Sequence, residues 1–291
     1  MSFPPGLIAT GIVLAAASAW GQPGETEHLK VQLVSDSDSV QPGRPLRVGL
    51  RFEMQDHWHI YWRNPGDSGV PPQVRWKLPA GFQVGKLQWP APERLGSGSV
   101  IDYGYPEPVL LAVEVQTPMT LAAGGSITLA AEVSWLACKD ICVPGKADLT
   151  LTLPVRLAPG PVPAAHALFQ EARSRLPRPT PPAWRIEATA QKDVFVLTIH
   201  GAGAGKASFF PLTADQIDNA APQAATPFPG GMRLTLRKSD QRMKTPARLE
   251  GVLKLGRGRA YVVSAPVRAL RVRTVPPVRG YTQVKGGKVY E

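Results

Sequence analysis

The chain has 291 residues, 43% hydrophobic and 19% charged, with a net charge of +11. Its 31 Pro and 28 Gly, about a fifth of all residues, exclude a helical bundle and suit short strands joined by many turns. Two Cys exclude a disulfide-rich scaffold, and seven Trp argue against a disordered or low-complexity chain.

The first element expected is an export signal. Leu7 to Ala19 is apolar and about the length of a signal h-region, and Ala17-Ser18-Ala19 is an A-x-A cleavage site. The signal therefore covers 1–19, with cleavage near Ala19 and a mature start near Trp20. The n-region has no Lys or Arg, but thirteen apolar residues are too few to span ~30 Å of hydrocarbon. Export would place both cysteines in an oxidising compartment, where an idle pair tends to become a disulfide.

A first domain is expected over 27–157. Alternating stretches at 29–35, 46–53, 73–78, 109–115, 126–136 and 147–155 are bounded by Pro and Gly turns. Such period-two patterns mark half-buried antiparallel strands, and six or seven of them in this length suggest an immunoglobulin-like β-sandwich. Residues 158–183 follow as a Pro-rich linker, stiff and extended, with a helix-forming stretch at 164–176. A second antiparallel β-sandwich is expected over 184–274, and a basic, flexible tail over 275–291. The fold class is thus all-β, with two immunoglobulin-like domains joined by a linker bearing one short helix.

Charge is divided unevenly. Residues 1–157 hold 12 basic and 14 acidic side chains, and residues 158–291 hold 21 and 8. A basic exported half could meet an acidic protein or an anionic lipid surface, or it could be a solvated face. No nucleic-acid-binding motif is present.

The chemistry-bearing motif is SWLACKDICVPGKADLTLTLP. Cys138 and Cys142 lie where two alternating strands meet, so they fall at a hairpin end, where residues four apart can reach disulfide distance. So small a ring constrains little unfolded-chain entropy, which invites a redox reading beside that of an inert hairpin staple. Lys139 would favour a thiolate and Asp140 would oppose it. A competing reading is a zinc or copper site using both sulfurs with His57 and His59, which would share one face of a strand. Serine- and zinc-hydrolase signatures are missing.

The segments 57–76, 87–95, 101–111 and 135–154 resemble the N-terminal periplasmic domain of DsbD-type thiol:disulfide interchange proteins, closest to the suppressor of copper sensitivity protein B branch. Segments 209–223 and 233–253 resemble the companion domain of that branch. The resemblance implies an immunoglobulin-like domain whose cysteine pair relays electrons to or from thioredoxin-fold periplasmic partners. Cys138 and Cys142 become the catalytic pair, with Cys142 forming the mixed disulfide. Asp102, Tyr103 and Gly104 match a segment that caps the pair, and Tyr61, Trp62 and Asp67 match as fold residues, with 63–67 read as a turn. No cofactor or metal is implied. Full-length members continue into a membrane domain, and the sequence to Glu291 has none, so a membrane electron conduit is expected to act in trans. The alternatives are a non-catalytic periplasmic interaction protein with a structural disulfide, and a copper-tolerance factor.

Overall fold

The computed structural model describes residues 19–158, 163–203, 205–242, 244–256 and 258–269. The signal stretch 1–18 and the tail from 270 lie outside the described residues. In the first part the strands are β1 (Gly24–Thr26), β2 (Leu29–Ser35), β3 (Leu46–Met54), β4 (His59–Gly66), β5 (Gln73–Lys77) and β6 (Gln83–Val84). They continue with β7 (Glu93–Leu95), β8 (Asp102–Tyr105), β9 (Val109–Gln116), β10 (Ser126–Cys138) and β11 (Cys142–Pro154). Helix α1 spans Pro163–Ser174. The second part has β12 (Arg178–Pro179), β13 (Arg185–Ala190), β14 (Val194–His200), β15 (Ala207–Pro211), β16 (Ala224–Phe228), β17 (Gly231–Arg237), β18 (Arg248–Leu255) and β19 (Arg259–Ala269).

The first part folds into two sheets. One has the order β1-β2-β3-β9-β6, and the other β11-β10-β4-β8-β7 with β5 alongside β10. Leu33, Leu50, Phe52 and Leu111 from the first sheet meet Ile60, Trp62, Tyr103, Tyr105, Val133 and Trp135 from the second in one core. Each such side chain removed from water contributes about 1.5–3 kcal/mol. This burial is why the alternating sequence pattern resolves into strands with fixed inward and outward faces.

Strands β10 and β11 form the longest hairpin, in register from Ser126↔Pro154 to Cys138↔Cys142. Strands β4 and β8 have no clean period-two pattern and escape sequence reading. Residues 63–67, expected as a turn, instead carry β4 on to Gly66, with a register shift against β8 between Tyr61 and Gly66. That irregularity accommodates Pro65, which has no N–H to give a regular ladder.

The expected linker helix forms, but it is no spacer. Phe169, Ala172 and Leu168 cover Val34, Leu110 and Ala112 on the outer face of the first sheet. Strand β9 is therefore buried on both faces from Val109 to Val113. The backbone of Ala91 donates to the Arg175 carbonyl just beyond the helix, at 2.9 Å.

The second part is one sheet ordered β15-β18-β19-β13-β14-β17-β16, with β12 beside β19. It encloses its own core around Phe195, Leu197, Phe209, Leu234, Leu253 and Val263. The expectation of a wholly antiparallel unit is corrected, because β13 and β12 both pair with β19 in parallel. Phe210, Val252 and Ala260 from this part join the core of the first. The Phe210 ring stands edge-on to Trp62 and Tyr103, at centroid distances of 6.4 and 5.0 Å. The two parts therefore pack through buried aromatic surface.

Candidate functional site

Cys138 and Cys142 form a disulfide with their Cα atoms 4.1 Å apart. They are the last directly opposed pair of the β10–β11 hairpin, and the turn between them is tied by the Lys139 amide donating to the Ile141 carbonyl at 3.0 Å. The two cysteines are not equivalent. Cys138 is 2% exposed, whereas Cys142 is exposed beside Ile141, which is 66% exposed at the hairpin tip.

Strand β4 explains the burial of Cys138. Cys138 lies opposite His59, so both project from the same face of the sheet, and alternation brings Tyr61 to that face as well. The Tyr61 hydroxyl donates to Cys138 Sγ at 2.9 Å and lies 3.6 Å from Cys142 Sγ. Burial pushes the Tyr61 phenol above its usual pKa; a hydrogen bond from Ser68 opposes this and the Asp102 charge adds to it. His59 stands edge-on to Tyr61 at 5.3 Å. Its pKa is lowered by burial, with the Asp102 charge opposing, and its buried Nε2 finds no partner among the described residues.

The predicted cap residues fall on two different faces. Tyr61 opposes Gly104, so Gly104 and Asp102 share the disulfide face, while Tyr103 between them points to the other side. Tyr103 is fully buried in the core, and its hydroxyl donates to Asn219 Oδ1 at 2.7 Å. Burial raises its pKa. The expectation that Tyr103 packs over the sulfurs is thus corrected by strand alternation, and the tyrosine against the disulfide is Tyr61. Gly104 is needed for close strand approach, because a Cβ there would lie 2.2 Å from the Ile60 carbonyl oxygen.

Asp102 has a different task. Its carboxylate accepts from both the backbone amide and the hydroxyl of Ser68, each at 2.9 Å. This pins the segment 67–69 above Tyr61. Gly69 sits so close to the phenol that a Cβ would lie 2.1 Å from Tyr61 Cζ, and its φ is +78°. Asp67 completes the attachment: its Oδ2 accepts the Ile101 amide at 2.7 Å, and its Oδ1 accepts Asn219 Nδ2 at 2.7 Å. Sequence reading placed Tyr61 and Asp67 in the fold alone and gave Ser68, Gly69 and Asn219 no role. The only signal for Asn219 was its place in the segment 209–223.

The metal reading assumed two histidines on one strand face. His57 instead precedes β4, exposed in a turn with φ 70°, and only His59 lies beside Cys138. No group of three His, Cys, Asp or Glu side chains comes together among the described residues.

Residues 29–154 match the family model of the N-terminal part of the thiol:disulfide interchange protein DsbD. By sequence, this segment is similar to the N-terminal part of DsbD. The whole fold is similar to the crystal structure of the N-terminal periplasmic domain of ScsB from Proteus mirabilis. That likeness has a TM-score of 0.60 at 16% identity, covering 86% of this chain and 98% of that one. The shared fold therefore extends past the matched segment into the second part. No curated protein matches the sequence at a significant level. No helix among the described residues is long and apolar enough to cross a membrane.

Proposed function

We propose that the chain is an exported thiol–disulfide exchange module that carries two electrons on Cys138 and Cys142, in the periplasm, between thioredoxin-fold partners. The observation that carries this reading is the asymmetry of the pair: an exposed Cys142 and a Cys138 buried under the Tyr61 hydroxyl. Exchange proceeds by thiolate attack along the S–S axis, so the sulfur that solvent reaches is the one a partner attacks. A partner thiolate forms a bond to Cys142 Sγ, the Cys138–Cys142 bond breaks, and Cys138 leaves as the thiolate. The Tyr61 O–H is already placed to donate to that charge. The partner's second thiolate then attacks its own sulfur in the mixed disulfide. Cys142 is released, the partner is oxidised, and the pair is left as a dithiol. The reverse sequence delivers the electrons.

In this reading the two parts are immunoglobulin-like domains, the segment 1–19 is the export signal, and Asp102 and Gly104 belong to the cap. Exposed Ile141 and half-buried Val143 give the partner an apolar footing beside Cys142. The basic excess of residues 158–291 favours an acidic partner face or anionic headgroups over a neutral one.

The test is covalent trapping. Cys138→Ala leaves Cys142 without its resolving thiol, so an oxidised thioredoxin-fold protein should accumulate as a mixed disulfide with it. Cys142→Ala should trap at least tenfold less, because Cys138 is buried. Equal trapping overturns the assignment of roles, and no trapping by either variant after reduction overturns the exchange function.

A further inference from the structure

The segment over Tyr61 is held from outside its own domain. Asn219 lies in the second part, is 6% exposed, and uses both ends of its amide across the contact. Its Oδ1 accepts from the Tyr103 hydroxyl and its Nδ2 donates to Asp67 Oδ1, each at 2.7 Å. A carboxylate accepts only, so the Asp67 contact fixes which end of the amide faces it. The backbone carbonyl oxygen of Asn219 accepts from the Arg94 guanidinium at 2.5 Å. The loop around Asn219 is itself locked, because Asp218 Oδ1 accepts the amides of Ala220 and Ala221 at 3.0 and 3.1 Å. From Asp67 the chain runs directly through Ser68, clamped by Asp102, to Gly69 on the Tyr61 ring, and the Tyr61 hydroxyl ends on Cys138 Sγ.

We propose that Asn219 is a positioning residue for the cysteine pair: by holding Asp67 it keeps the 67–69 segment seated on Tyr61, so that the second part of the chain restricts thiol attack to Cys142. The inference rests on the exchange reading for its purpose, but not for its geometry. Without the Asn219 amide, the segment keeps the bonds of Asp67 to Ile101 and of Ser68 to Asp102 but loses its tie to the second part, and it lifts from the phenol more often. Cys138 Sγ then becomes reachable, and attack spreads to both sulfurs. The second part thereby acts on the choice of sulfur through the Asn219 side chain.

The experiment uses the oxidised full chain, with dithiothreitol and glutathione as the only thiols. Dithiothreitol reduces the pair to a dithiol and closes to its own cyclic disulfide, and the rate is followed by thiol release. Glutathione forms a mixed disulfide with whichever sulfur it attacks. After an acid quench and alkylation, cleavage following Lys139 separates the two cysteines for mass mapping. Asn219→Ala should be reduced about 5-fold faster, the factor expected for loss of its one bond to Asp67 at about 1 kcal/mol. Its glutathione adduct should appear on both cysteines, whereas the unaltered chain carries it on Cys142. Tyr103→Phe removes only the hydroxyl that anchors Asn219 and keeps the ring on Phe210, so it should shift both readouts in the same direction by about 2- to 3-fold even if Asn219→Ala folds poorly. Lys254→Ala breaks another contact between the parts, the 3.5 Å ion pair with Glu93, and should leave both readouts unchanged. Unchanged rate and adduct position in both Asn219→Ala and Tyr103→Phe overturn the proposal, as does an equal change in Lys254→Ala. These readouts need no protein partner. If they hold while Cys138→Ala traps no thioredoxin-fold protein, the clamp stands and the exchange function falls; the opposite pattern removes the clamp alone.

Discussion

Tyr61 and Cys138 sit on neighbouring strands with the tyrosine hydroxyl donating to the sulfur at 2.9 Å, and under the proposed exchange this contact makes Cys138 the better leaving group. A hydrogen bond to a developing thiolate is stronger than one to a neutral sulfur, so the contact favours release of Cys138 over release of Cys142. The strand pairing that makes it possible is short, running only through Ala137↔Ile60 and Cys138↔His59.

Tyr61→Phe keeps the ring under Gly69 and removes only the donor. Attack of dithiothreitol on the pair should slow by about 5- to 10-fold, corresponding to about 1–1.5 kcal/mol of lost thiolate stabilisation. Thermal unfolding should change little. A faster reduction would mean that the hydroxyl shields the sulfur more than it stabilises the leaving thiolate.

Gly69→Ala adds a methyl group at the Tyr61 ring. The new Cβ would fall 2.1 Å from Tyr61 Cζ, and the residue must also hold a φ of +78°. Gly98 has a similar φ of +73° but open space around it. Gly98→Ala should therefore lose about 1–2 kcal/mol from the backbone alone, and Gly69→Ala about 1–2 kcal/mol beyond that. Urea unfolding of the two variants separates the collision from the strain. Faster reduction should accompany the loss only at Gly69.

Glu132 offers a test of pH dependence away from the disulfide. It faces Arg75 and Lys77 on β5 and pairs with both. The Lys77 hydrogen bond first, and that of Arg75 next, hold its carboxyl down to about 2. A folded pKa below the unfolded value of about 4.3 stabilises the fold above that value and is lost as pH falls towards 2. Glu132→Gln should therefore lower the unfolding temperature at pH 7, and the difference should vanish by about pH 2. A difference that persists there would assign the effect to packing.

Most strands of both parts were legible because each buries one face and leaves the other in water. Leu29–Ser35, Leu46–Met54 and Gln73–Lys77 coincide with their alternating sequences to within a residue. Strands β4 and β8 were not, because Asn64-Pro65-Gly66 and Gly104 break the period, and Trp62, Tyr103 and Tyr105 are buried by an aromatic layer that partly comes from the second part. A strand buried by a distant segment has no reason to alternate.

By itself the sequence determined the hairpin with its two cysteines, the short helix, and the strand pattern on both sides of it, since these follow from local periodicity and turn residues. The inequality of the two sulfurs was decided only by tertiary structure. Nothing beside Cys138 in the sequence marks it for burial, which comes with Tyr61, 77 positions away. The choice of Tyr61 over Tyr103 follows from which side of β4 and β8 faces the core, because alternation sends adjacent side chains to opposite faces. Asn219 reaches Asp67 across 152 positions, and its amide meets that partner only when the second part is packed against the first.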